Sequence, residues 1–315
     1  MTRIFISGAG AFGTALALVF HKAGKDVTLI SRNSTELVKN RTTDYLPGVS
    51  LPESLKISNS TTSLSGGDVL ILAIPMQNLT KYLENLHQKP KVAIACCKGI
   101  DLNTKAGPTE VIRNTLGGSS AILTGPSFAS DIAMGLPTGL TIATENKQIG
   151  TELQKTLSTD SIRLYLSSDP IGAELGGALK NVIAIACGLC IGAGFGDSAR
   201  SALLTRGFAE IVKLATILGA KQETLYGLSG IGDLVLTCTS PQSRNFSYGF
   251  SIGANLGTKV SSTVEGIATA RAVLKLSIKH NIDMPITKGV VDIIDGSKSV
   301  SVVLSNLLDR PLTKE

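Results

Sequence analysis

Short apolar runs alternate with stretches of helical period through the first half of the chain. Arg3 to Ser7, Asp26 to Ile30, Asp68 to Ile74, Lys91 to Cys97, Ala121 to Thr124, Leu140 to Thr144 and Ile162 to Leu166 read as strands. Each is a short, predominantly apolar run of the type found in parallel strands covered on both faces. Thr14 to Ala23, Met76 to Leu86, Thr109 to Leu116 and Lys147 to Leu157 carry the helical spacing between them. The alternation predicts an α/β fold with a doubly wound sheet over residues 1–168. At Ser167-Ser168-Asp169-Pro170 the pattern changes, because a Ser or Asp cap followed by proline starts a helix and no clear strand comes after it. Helices at about Pro170 to Ile191, Ala199 to Leu218, Glu265 to His280 and from about Thr287 make residues 169–315 an all-helical second domain.

The first strand runs straight into GAGAFGTALA, with Gly8, Gly10 and Gly13 at dinucleotide-binding spacing. The three glycines answer to different needs: Gly8 to the tight turn, Gly10 to close approach of a pyrophosphate, Gly13 to packing of the helix on the strand. Free N–H groups at the helix start then face the anion. The apolar strand before the motif and the helical run after it supply the context it requires, so the expected sheet is of Rossmann type. A turn that uses glycine for packing alone is the alternative. The second strand ends in Leu29-Ile30-Ser31-Arg32-Asn33, where an NAD-specific protein usually places an acid to hold the ribose hydroxyls. Arg32 there points to NADPH/NADP, with NADH/NAD still open.

Composition narrows the partners. With 315 residues, 43% hydrophobic and 17% charged, the chain is long enough for two cores. Its 16 basic and 12 acidic residues up to Ser168, and 14 and 12 beyond, form no basic stripe or tail. Aromatics are 4% and tryptophan is absent, so there is little of the interleaving of basic and aromatic residues used by nucleic-acid binders, and no nucleic-acid partner is expected. A mild positive excess suits a small phosphorylated ligand. The five cysteines are odd in number and lack framework spacing, so they are expected reduced. Cys187 and Cys190 form a CxxC inside an apolar helical run and read as core. His21, His87 and His280 form no ligand pattern, and no metal is expected. The weakly polar stretch Val182 to Gly196 is shorter than the roughly 20 residues of a bilayer span and is broken by glycines, so no membrane insertion is expected. Nothing at the N-terminus resembles a targeting signal, and a cytoplasmic protein is expected.

The second half holds the candidate chemistry. In Glu174-Leu175-Gly176-Gly177-Ala178-Leu179-Lys180-Asn181 a helix places both glycines one turn before Lys180. An amine then stands beside a surface cleared either for a ligand or for a packed neighbour. Gly230-Ile231-Gly232-Asp233-Leu234 sets a carboxylate in a glycine-flanked turn, and Ser240 to Asn245 has the form of an anion-binding helix start.

Together these blocks resemble the bacterial NAD(P)-dependent glycerol-3-phosphate dehydrogenase family over nearly the whole chain. The blocks fall in family order: GAGAFGTALA, Cys97-Lys98-Gly99-Ile100, Gly125-Pro126-Ser127-Phe128-Ala129, Leu179-Lys180-Asn181, GIGDLVLTCTS, Ser243-Arg244-Asn245 and Val264-Glu265-Gly266. Phe12 stands where the family usually has tryptophan or tyrosine. The resemblance implies reversible reduction of dihydroxyacetone phosphate to sn-glycerol 3-phosphate, feeding phospholipid synthesis. It implies Lys180 as the general acid for the ketone oxygen, with Asp233 orienting the lysine or a substrate hydroxyl. Lys98, Gly125 and Ser127 would complete the substrate pocket, and Ser243, Arg244 and Asn245 would hold the phosphate. An N-cap for the helix that begins near Phe128 is the alternative role of Ser127, and it is compatible with substrate contact. Gly8, Gly10, Ala11, Phe12, Gly13, Arg32, Lys98, Ala129, Arg244 and Glu265 would line the cofactor, and a homodimer is expected by resemblance alone. Two other classes share the glycine turn. A keto-acid dehydrogenase would not need the phosphate block, and a non-catalytic redox sensor would not need Lys180 and Asp233 together.

Overall fold

The structure is a computed structural model that describes residues 2–256 and 264–308. The chain divides into two compact units, Met1–Glu174 and Leu175–Glu315. In the first, β1 (Ile4–Ser7), β2 (Val27–Ile30), β3 (Lys56–Ser58), β4 (Val69–Leu72), β5 (Val92–Ala95), β6 (Ser119–Thr124), β7 (Thr138–Ala143) and β8 (Ile162–Ser167) form one sheet. Its order is β3-β2-β1-β4-β5-β6-β7-β8. Six helices accompany it: α1 (Ala11–Lys22), α2 (Ser34–Asn40), α3 (Leu79–Glu84), α4 (Pro108–Leu116), α5 (Ala129–Ala133) and α6 (Lys147–Leu157).

The unbroken apolar runs are explained by cover on both faces. Ile4 and Ile6 of β1 join Leu16 and Phe20 of α1 in one layer. Phe5, between them in sequence, joins Leu79, Leu83 and Ile112 of α3 and α4 in the other. The side chains of a strand alternate between faces, so apolar cover on both sides makes every position apolar.

Two features depart from expectation. β3 is not signalled by the sequence, because its three residues are half-exposed or exposed and carry one aliphatic side chain. β7 reads as a parallel-type strand but pairs antiparallel with β6. The reason lies in the connection: α5 has five residues, about 7.5 Å at the helical rise, too short to run back along a six-residue strand. α5 packs on α1 instead.

The remaining helices are α7 (Pro170–Gly192), α8 (Asp197–Ile217), α9 (Gln222–Leu225), α10 (Asp233–Thr239), α11 (Arg244–Gly253), α12 (Glu265–Lys279), α13 (Pro285–Ile294) and α14 (Val300–Leu308). Among the described residues no strand follows Ser167. Asp169 caps α7 by accepting from the Gly172 N–H at 2.8 Å. α7 has the length and hydropathy of a membrane span, but 89% of its apolar window is buried inside the protein.

The first turns of α7 belong to the first unit. Ala173 packs with Ile122 and Ala143. Glu174 accepts from the Thr109 N–H at 2.7 Å and so caps α4, whose own cap residue Gly107 offers no side chain. A Cβ on Gly107 would strike the Glu174 carboxylate. Burial pushes Glu174 up to about 7, with Glu110 adding to the rise and the Thr109 hydrogen bonds and Arg113 opposing it. A carboxyl that titrates higher when folded stabilises most below its unfolded value of 4.5, and the contribution is lost as pH rises through about 7. A rise of this size corresponds to roughly 3 kcal/mol. Glu174→Gln, which keeps the cap acceptor without the charge, is expected to remove this slope. Urea unfolding of both proteins at about pH 5 and about pH 8 checks it, and equal pH dependence in the two would refute it.

Candidate active site

In the first unit the candidate ligand residues collect at one edge of the sheet. β1, β2, β4, β5 and β6 are mutually parallel, so Gly8, Arg32, Lys98 and Gly125 all follow carboxyl ends on that edge. The chain order reverses between β1 and β4, the place where such sheets bind ligands. Gly8 has φ +110°, and a Cβ there would overlap the Ala73 carbonyl. A Cβ on Gly13 would overlap the Gly8 carbonyl, so both glycines let backbones touch. Gly10 differs, because a Cβ there would meet nothing within 4 Å. The open space lies beside the start of α1, which has neither a side-chain cap nor an acid in its first turn. Uncapped N–H groups beside a cleared surface fit a dinucleotide pyrophosphate.

Around this turn, Ala11 is half-buried, and Phe12 and Ala129 are half-buried and pack against the apolar layer. Arg32 is exposed in the turn after β2, where the Asn33 N–H donates to Ser31 Oγ at 3.2 Å. Lys98 is half-buried after the two buried cysteines that follow β5. Burial pushes the Cys96 thiol up to about 12 against the pull of Lys98, so it stays protonated. Gly125 turns the chain with φ +138°, and Ser127 Oγ donates to the Gly125 carbonyl at 3.2 Å. Ser127 does not cap α5, whose cap residue is Phe128 and makes no side-chain cap bond.

The second unit brings Lys180 and Asp233 together. Lys180, 5% exposed on α7, donates from Nζ to Asp233 Oδ1 and to Thr237 Oγ1, each at 2.5 Å. Thr237 sends its own hydrogen to the Asp233 carbonyl at 2.6 Å, leaving a lone pair for the ammonium. Asp233 is 1% exposed and opens α10 directly after a π-helical turn, Leu228–Gly232. Thr237 is a third member of this buried cluster that the sequence motifs do not single out. Its signal was the four-residue step from Asp233, which puts both on one helix face.

The surface beside Gly176 is not open to a ligand. A Cβ there would lie 2.6 Å from the Ser229 carbonyl oxygen and 3.1 Å from Gly230 Cα. Gly176 lets α7 receive the turn that delivers Asp233, so the glycine serves the lysine by packing.

Ser243 caps α11, accepting from the Phe246 N–H at 3.2 Å. Arg244 follows, exposed, and then Asn245, buried. Asn245 Oδ1 accepts from the Gly266 N–H at 3.0 Å, which ties the first turn of α11 to that of α12, where Glu265 is half-buried. A Cβ on Gly266 would meet Asn245 Oδ1 and the Asn181 carbonyl, so this junction requires glycine. α7 and α11 also touch main chain to main chain. Cβ atoms on Gly188 and Gly192 would overlap the Phe246 and Phe250 carbonyls, and those on Gly249 and Gly253 the Ile185 and Leu189 carbonyls. All five cysteines are buried and none forms a disulfide. Among the described residues no group of three or more His, Cys, Asp or Glu could hold a metal ion.

Comparison with known proteins agrees over the whole length. Residues 3–150 match the family described as NAD-dependent glycerol-3-phosphate dehydrogenase N-terminus, and residues 169–305 its C-terminus. A glycerol-3-phosphate dehydrogenase (NAD(P)+) of Cereibacter sphaeroides is 52% identical over 315 residues, covering 99% of this chain and 100% of the relative. The crystal structure of glycerol-3-phosphate dehydrogenase from Coxiella burnetii has TM-score 0.90 at 34% identity, covering 98% and 99% of the two chains. D-mandelate dehydrogenase, at 15% identity and TM-score 0.65 over 98% and 100% of the chains, shares the fold alone.

Proposed function

The chain belongs to the NAD-dependent glycerol-3-phosphate dehydrogenase family, and from that premise we propose that it reversibly reduces dihydroxyacetone phosphate to sn-glycerol 3-phosphate in the cytoplasm. NADPH is the preferred reductant in this reading, because Arg32 offers a cation where a ribose-binding acid would repel a 2′-phosphate. The observation that carries the proposal is the buried Lys180, Asp233 and Thr237 cluster.

A bound reduced nicotinamide supplies the hydride; the rest of the chemistry falls to the chain's own side chains. As hydride adds to the carbonyl carbon, negative charge develops on the oxygen, and Lys180 Nζ gives that oxygen a proton. Asp233 keeps the amine charged and aimed, and Thr237 fixes it from a second direction. Arg244 and Asn245 hold the phosphate at the start of α11. The Asn245 carbonyl is already committed to Gly266, so its Nδ2 group is the donor toward phosphate. Lys98, Gly125 and Ser127 complete the substrate pocket. Gly8, Gly10, Ala11, Phe12, Gly13, Arg32 and Ala129 line the cofactor with Lys98, Arg244 and Glu265.

The primary test is the fall in NADPH absorbance on adding dihydroxyacetone phosphate, run beside NADH and beside unphosphorylated dihydroxyacetone. Fast oxidation that requires the phosphate is expected, with NADPH ahead of NADH; NADPH that binds but is not oxidised would overturn the enzyme reading. Arg244→Ala adds a second arm. Arg244 is exposed, so its loss is worth a charged hydrogen bond, about 1.5–3 kcal/mol, rather than a broken buried pair. At saturating NADPH, KM for the phosphorylated substrate is expected to rise roughly 10- to 100-fold, with no change toward dihydroxyacetone. An equal rise for both ketones would move the phosphate site elsewhere.

A further inference from the structure

The loop that carries Lys98 is held from one side by a residue that no motif includes. Gln77 lies in the 3₁₀ turn Met76–Asn78, shortly after β4. Its Nε2 donates to the Ile100 carbonyl at 3.0 Å, and its Oε1 accepts from the Leu102 N–H at 3.1 Å. On the other side of Lys98, the Cys96 N–H donates to the Leu72 carbonyl of β4 at 3.0 Å. One stretch, β4 and the turn that follows it, therefore clamps the chain both before and after Lys98. Beyond the clamp the loop closes on itself, with Asp101 Oδ1 accepting from the Asn103 and Thr104 N–H groups at 3.0 and 2.8 Å. Gly99, with φ +117°, is the bend between the two anchor points.

We propose that Gln77 is a positioning residue that sets Lys98 for substrate and cofactor, an inference that rests on the role assigned to Lys98 above. Gln77 is exposed and fills no core, so burial does not explain its place. Both ends of its amide are spent on main-chain groups of one loop, a pairing that requires a donor and an acceptor on the same side chain. Gln77→Ala removes both bonds. Gln77→Glu keeps the acceptor toward Leu102 but turns an oxygen toward the Ile100 carbonyl, so it loses the donor and adds repulsion. Each hydrogen bond is worth only about 1 kcal/mol, but small displacements of a positioned group weigh heavily on ligand binding.

The test is a double-mutant cycle on the full chain, reading KM for dihydroxyacetone phosphate, kcat, NADPH affinity by fluorescence and the urea midpoint for wild type, Gln77→Ala, Lys98→Ala and the double variant. Gln77→Ala is expected to raise KM about five- to ten-fold, with kcat within about two-fold of wild type and little change in the urea midpoint. Gln77→Glu is expected to raise KM at least as much. In the Lys98→Ala background the same Gln77→Ala change is expected to shift KM by less than about two-fold, because the group it positions is gone. An unchanged KM in Gln77→Ala beside a weakened Lys98→Ala enzyme would overturn the positioning role alone. An equal effect of Gln77→Ala with and without Lys98 would also overturn it, making the glutamine a support of the loop in general. Lys98→Ala with normal KM and normal NADPH affinity would overturn the role of Lys98 and this inference together.

Discussion

Lys180→Ala is expected to lower kcat by roughly 10²- to 10⁴-fold, the span of a positioned proton donor. NADPH affinity is expected to stay within about two-fold of wild type, because no cofactor contact is assigned to this side chain. In the proposed mechanism the amine is the group held for proton transfer: it is nearly excluded from water and fixed by both Asp233 and Thr237. Its removal takes the proton source away from an oxygen that gains charge as hydride arrives, so the loss falls on the chemical step. Steady-state rates with fluorescence titration of NADPH separate the two quantities. Near-normal kcat would remove Lys180 from the mechanism, and a matching loss of NADPH binding would show damage beyond the reacting groups.

The second large effect is on stability. Asp233→Ala and Lys180→Ala each remove one partner of an ion pair whose two side chains are almost wholly buried. Breaking such a pair from one side costs about 3–5 kcal/mol. The double variant Lys180→Ala/Asp233→Ala leaves neither charge behind and is expected to lose less than the sum of the single losses, close to either one alone. Urea unfolding followed by circular dichroism measures all four corners of the cycle. Additive losses would mean that the two side chains do not depend on one another, and the ammonium would then need another source of charge balance.

The sequence carried most of this architecture because its signals were local. The glycine spacing of the first turn, the proline that opens α7 and the apolar runs of β1, β4 and β5 are each decided within a few residues. What escaped were features set by distant partners. The direction of β7 depends on the shortness of α5, and an apolar run such as Leu140 to Thr144 looks the same in either direction. Glu174 reads as one polar residue at the start of an apolar helix. Its role comes from Thr109, 65 positions earlier. The glycines around Lys180 made the same point: spacing showed that space had been cleared beside the helix, but not that the Ser229 and Gly230 main chain fills it at Gly176. Thr237 was within reach of a helix-face argument. Gln77 was not, because nothing in Pro75-Met76-Gln77-Asn78 announces which loop its amide will hold.

The four glycines between α7 and α11 bear on how such a protein can diverge. The helix of Lys180 and the helix that opens on Arg244 and Asn245 meet without intervening side chains. Where helices are spaced by leucines or valines, exchanging one for another resets their separation, and descendants drift apart in the size of substrate they accept. Here the spacer is the peptide backbone, which mutation cannot trim. Backbone contact thus fixes the interval from the Lys180 amine to the proposed phosphate-binding end of α11, and a methyl group at any of the four positions would push the helices apart. An engineer seeking a longer phosphorylated ketone as substrate would need to begin at Gly188, Gly192, Gly249 and Gly253, positions that touch no ligand in the proposed chemistry.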